Sequence, residues 1–178
     1  MLEDQALYIT QLITLFAVLD PPGHLPLFLS ATADLSRPGR RRAALLSILI
    51  SFAILLAFAF GGQFVLHAMG VSLLAFQISG GIIIFVFALT MVLGEAPTEA
   101  QPSISDNSSS LSVAVYPLAV PIIAGPGSIL TMMVLMDNNR FSFEDHLVTI
   151  AALITVLTIL MTAFLFGDLI SRFLGRGG

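Results

Sequence analysis

No cysteine and no lysine occur among the 178 residues, and charged residues make up only 10% of the chain. Without cysteine there is neither a disulfide nor a thiolate metal site. The seven basic residues are all arginine, and Arg37, Arg40, Arg41 and Arg42 share one short connection, which excludes a distributed basic face for nucleic acid. No nucleophile paired with a base, no HExxH, no GxxxxGK and no acidic metal cluster is present, so no enzyme activity is expected.

What remains is apolar. Hydrophobic residues form 57% of the chain and its mean hydropathy is +0.99, far from the balance of a soluble domain. A hydrocarbon core about 30 Å thick needs about 20 apolar residues in a helix, and five stretches meet that length: 5–36, 43–64, 71–93, 111–136 and 146–166. Backbone polar groups must be paired in lipid, so every crossing is helical and the fold is an all-α polytopic membrane protein. The acidic N-terminus, MLEDQALYIT, has no basic region and no small-residue cleavage site, so no cleaved signal peptide is expected. Arg37–Arg42 follow the first span, and Arg172 and Arg176 follow the fifth. The excess of basic residues on one side then puts the N-terminus outside and the residue-178 end in the cytoplasm. Residues 94–110, polar and rich in serine, read as a cytoplasmic linker.

Two of the five runs are interrupted at their centres. The first contains LDPPGHLPLF (19–28) and the fourth IIAGPGSILT (122–131). An offset of about 104 residues lays Pro22-Gly23 on Pro126-Gly127, and an offset of 105 lays Gly62 and Gly70 on Gly167 and Gly175. The chain therefore reads as one transmembrane domain built from two three-helix units, about 1–93 and about 111–178. An odd number of spans per unit inverts the second relative to the first, as in many secondary transporters. The second unit lacks room for its third helix, so five spans of an expected six are present.

Pro21, Pro22 and Gly23 end helix continuity, and the next helix is expected to start at His24 or Leu25 with Pro26 in its first turn. In the second copy Gly125, Pro126 and Gly127 break the helix and Ser128 is the expected N-cap. Each break offers a helix N-terminus inside the membrane, with unpaired N–H groups and about half a positive charge, suited to a carboxylate. The substrate-binding set read from this pattern is Asp20, Pro22, Gly23, His24, Gly125, Pro126, Gly127 and Ser128, with Gln77, Tyr116 and Thr131 lining the cavity. Two ordinary kinks are the bland alternative, and both readings keep the breaks buried. Asp20, the one acidic residue well inside a span, either holds a coupling proton or cation or a substrate amine, or simply caps the second half-helix with Pro21 at its first position. No cofactor is expected beyond a coupling proton or sodium ion, and no metal. His67 and His146 are expected at the interfaces.

LDPPGHLPLFLS (19–30), AFQISGGIIIFVFAL (75–89) and VYPLAVPIIAGPGSI (115–129), in this order, resemble the MarC family of bacterial inner-membrane proteins. The resemblance implies six spans, an outside N-terminus and kinship with amino-acid exporters of the lysine-exporter type. Some similar proteins are credited with transport of small neutral amino acids, which makes such a solute the implied substrate and the two broken motifs the implied functional centre. In such sequences the position of His24 is more often asparagine and that of Gln77 often arginine. The expected partners are the lipid bilayer, a small-molecule substrate and, through small-residue faces, a second copy of the chain. A passive channel and a non-transporting scaffold are the alternatives to a carrier.

Overall fold

The computed structural model describes residues 2–93 and 109–167. The linker and the end of the second unit, with Arg172, Gly175 and Arg176, lie outside the described residues. The elements are α1 (Leu2–Leu19), α2 (Pro21–Ala31), α3 (Arg37–Ala68), α4 (Leu73–Val92) and α5 (Ser110–Val113). A widely wound stretch (Ala114–Ile123), α6 (Pro126–Leu135) and α7 (Phe143–Leu165) follow. Among the described residues there is no strand. Among the described residues four segments are long and apolar enough to cross a membrane: Gln5–Ala31, Arg37–Ala68, Leu73–Thr90 and Phe143–Leu165. A fifth forms when Ser110–Ile123 and Pro126–Leu135, bent by 60°, count as one crossing. The protein is thus an all-α, multi-pass integral membrane protein.

Capping extends two helices beyond the expected bounds. α3 starts at Arg37 rather than residue 43, because the Ser36 hydroxyl accepts the Gly39 N–H at 3.3 Å and Pro38 fits a first turn. α7 starts at Phe143 rather than His146, through a reciprocal box in which Asp145 N–H donates to Ser142 Oγ and Ser142 N–H to Asp145 Oδ2.

In lipid, helices associate through close packing and hydrogen bonds rather than hydrophobic transfer. α3 lies at the centre, and its buried face is mostly small: Ala43, Ala44, Ser47, Ser51, Ala59 and Gly62. That lets the widely wound stretch, α6 and α7 all approach it. α1 and α2 pack on α7. There the Phe28 and Phe164 rings stack with centroids 4.1 Å apart, and the Tyr8 hydroxyl bonds Thr155 Oγ1 at 2.8 Å. Tyr8→Phe removes this interhelical bond and is expected to lower stability by about 0.5–1 kcal/mol, measured by thermal unfolding in detergent.

Two packing contacts recur at matched positions. Met133 of α6 lies on Gly62 of α3, where a Cβ would come within 2.6 Å of its Cε. Leu25 and Leu29 of α2 lie on Gly167, two residues past the end of α7, where a Cβ would come within 2.9 Å of Leu25 Cδ1 and 3.1 Å of Leu29 Cδ2. Leu29 and Met133 are related by the same offset as the two Pro-Gly breaks, and Gly62 and Gly167 by one residue more. Each half-helix therefore uses a glycine of the other unit.

Candidate functional site

The first break is a turn at one residue. Asp20 takes the left-handed conformation, φ 35° and ψ 66°, and α2 begins immediately after it at Pro21. This corrects the expected start at His24 or Leu25. A proline pair is compatible with the first two helical positions, where no N–H is needed, so the turn is absorbed one residue earlier and Gly23 is helical. Pro26 consequently sits inside the helix. Asp20 Oδ1 accepts the Gly23 N–H at 3.2 Å and its carbonyl accepts the His24 N–H at 3.0 Å. With Pro21 and Pro22 lacking donors, the N-terminus of α2 has no N–H left for a ligand. Glycine at position 23 is required by this cap, since a Cβ there would meet the Asp20 carboxylate.

The second break differs. Residues before proline are forced out of the helical region, and accordingly Tyr116 (φ −133°, ψ 126°) and Val120 (φ −129°, ψ 123°) are extended ahead of Pro117 and Pro121. α6 then starts at Pro126 with Gly125 as N-cap and no side chain capping it. Ser128, the expected N-cap, is instead buried within the first turn. The first helical bond runs from Ile129 N–H to the Gly125 carbonyl at 3.0 Å, so the N–H groups of Gly127 and Ser128 precede it. Only this half-helix has the donor-rich end that both were expected to have.

The fold brings the two breaks together. α2 packs against the widely wound stretch that leads into the second break, and within the first break the His24 imidazole bonds the Leu19 carbonyl through Nδ1. Gly127 faces Ile84 of α4 and Val18 of α1, and a Cβ there would sit 3.5 Å and 3.8 Å from them. Gly125 and Ser128 are buried, whereas Asp20, Pro22, Gly23 and Pro126 are exposed, which corrects the expectation that both breaks are buried. The reason lies in the packing: α4 covers α6, with Leu130 on Gly80, but among the described residues α2 is held mainly by α7 and the widely wound stretch. Of the expected lining residues, Thr131 and Gln77 are half-buried, and Tyr116 is 51% exposed rather than enclosed.

Two buried amides, Gln63 and Gln11, are absent from the candidate residues read from the sequence. Gln63 of α3 donates to the Met136 carbonyl at 3.2 Å and to Asp137 Oδ1 at 3.5 Å, while Asn138 donates to Gln63 Oε1 at 3.4 Å. These bonds tie the C-terminal end of α6 to α3 across more than 70 residues of sequence. Asp137 also accepts the Asn139 backbone and side-chain N–H groups. Gln63→Leu leaves these groups short of a partner and is expected to cost about 1–3 kcal/mol, read as a lower unfolding temperature. Gln11, 1% exposed on α1, has no side-chain partner among the described residues. His146, in the first turn of α7 near the end of that span, is itself buried among its more exposed neighbours. An amide inside an apolar run was the available signal for Gln63 and Gln11, though not for their surroundings.

Similarity to known proteins covers nearly the whole chain. The sequence model of a family described as "MarC family integral membrane protein" matches residues 5–178. A UPF0056 membrane protein of Archaeoglobus fulgidus is 34% identical over 166 residues, covering 93% of this chain and 78% of that protein. One from Methanocaldococcus jannaschii is 35% identical over 162 residues, 88% of this chain and 79% of its own. The UPF0056 inner membrane protein YhgN of Escherichia coli K12 is 34% identical over 145 residues, 79% of this chain and 68% of its own. No solved structure matches.

Proposed function

The chain belongs to the MarC family of integral membrane proteins, and from that premise we propose that it is a secondary transporter of a small solute, a neutral amino acid, working by alternating access. The observation that carries this reading is the meeting of two broken helices, with α2 packed against the widely wound stretch that leads into α6. Broken helices near the midplane, at the interface of inverted units, are where secondary transporters hold substrate. The reciprocal contacts Leu29–Gly167 and Met133–Gly62 support two such units.

The two breaks divide the work. The uncapped end of α6, with the N–H groups of Gly127 and Ser128, attracts the substrate carboxylate. α2 has spent its donors on Asp20, so its break offers the Asp20 carboxylate instead, for the substrate amine or a coupling proton or sodium ion. A zwitterion is thus matched end to end. The chain resides in the inner membrane, as the name of YhgN states for that relative, with the N-terminus outside and Arg37–Arg42 in the cytoplasm.

The cysteine-free sequence supplies the test. Pro126→Cys introduces a single thiol at the exposed edge of the second break. Millimolar alanine is expected to slow its maleimide labelling severalfold. Labelling unaffected by alanine, glycine and serine would remove the substrate from this site.

A further inference from the structure

We infer that the cleft between the first turns of α3 and the start of α5 holds the phosphate of an anionic phospholipid headgroup. The cleft has a volume of about 520 Å³, a size that holds a small organic group, and Leu35, Ser36, Gly39 and Arg42 line one side of it. Ser110 and Leu111 line the other. This inference rests on the chain being an integral membrane protein and is independent of the transport reading.

Position comes first. α3 and α5 each open a membrane-crossing segment at this end of the bundle, so the cleft lies at the level of lipid headgroups. Charge comes next. Four arginines occupy the first two turns of α3, with no acidic residue in its first turn. Cations at a helix N-terminus are opposed by the helix dipole, so this arrangement breaks a local rule that a bound anion would repair. Arg42 makes no hydrogen bond or ion pair with the described residues, which leaves its guanidinium available to a phosphodiester.

The shape fits the same occupant. Gly39 forms the floor: a Cβ there would lie 3.2 Å from Ser110 Oγ and 3.3 Å from Ser36 Oγ, so any side chain would fill the gap between the two hydroxyls. Ser36 Oγ accepts the Gly39 N–H and keeps its own proton to donate outward. Leu35 and Leu111, the latter 53% exposed, provide apolar walls beside the polar floor. A phosphate that continues into glycerol and acyl chains satisfies both surfaces, whereas a free phosphate leaves the leucines bare.

Native mass spectrometry of the full chain in detergent tests this, with phosphatidylglycerol, phosphatidylcholine and inorganic phosphate as probes. Phosphatidylglycerol is expected to be retained about fivefold or more over phosphatidylcholine, the effect of about one basic contact at a membrane surface. Arg42→Gln should abolish that preference, and so should Gly39→Val, which fills the cleft with every charge kept. Arg140→Gln, at the opposite end of the bundle, should leave it intact. Equal retention of the two lipids, or unchanged preference in Arg42→Gln, would overturn the inference. So would displacement of phosphatidylglycerol by millimolar inorganic phosphate, which would make the anion rather than the lipid the occupant.

Discussion

Gly125→Ala is expected to destabilise the protein by about 2–3 kcal/mol, whereas Gly127→Ala, two residues along, should be neutral or stabilising by up to about 1 kcal/mol. At position 125 the new Cβ would lie 2.5 Å from the Pro121 carbonyl oxygen, a backbone atom that moves only if the widely wound stretch moves with it. That stretch is pinned by Pro117 and Pro121 and buries Leu118, Ala119 and Ile123 against the bundle. At position 127 the added methyl meets Ile84 and Val18 at ordinary contact distances of 3.5 and 3.8 Å, and alanine is the better helix former. Thermal unfolding in detergent, followed by circular dichroism, separates the two. Equal loss in both variants would mean that the second break is a general flexible joint rather than a close backbone crossing.

Asp20→Asn is expected to reduce amino-acid uptake at least about tenfold, the scale of losing one charge-assisted contact, with little change in stability. Asparagine serves as an N-cap as well as aspartate does and tolerates the left-handed conformation that Asp20 adopts, so the start of α2 survives while its charge does not. Asp20→Ala removes cap and charge together and should in addition cost about 1 kcal/mol or more of stability. Paired uptake and unfolding measurements on the two variants distinguish the roles. Uptake retained in Asp20→Asn and stability lost in Asp20→Ala would make the carboxylate a cap alone.

Much of the fold was legible because membrane crossing imposes length and polarity together. The five apolar runs, the central interruptions at 20–23 and 125–127, and the match between Gly62 and Gly167 all lie on the surface of the sequence. The start of each half-helix was less so. Gly23 looked like the conformational hinge, but the left-handed residue is Asp20, whose side chain takes up the free N–H that would otherwise have marked a binding site. At the second break, two X-Pro pairs four residues apart, Tyr116-Pro117 and Val120-Pro121, carried a readable signal for a distorted stretch ahead of Gly125. The cluster of Gln63 with Asp137 and Asn138 had no comparable signal, since it depends on α3 and α6 lying side by side. Exposure of Asp20, Pro22 and Gly23 is likewise a property of what packs on α2, not of the motif.

In the proposed carrier, two juxtaposed helix breaks bind a small zwitterion and pass it across the membrane. Counterflow of radiolabelled alanine into proteoliposomes holding the full chain tests it most directly. Saturable uptake, accelerated by unlabelled alanine inside the vesicles, is the expected result. Uptake that rises linearly with the gradient and ignores internal alanine, or no uptake at all, would contradict it.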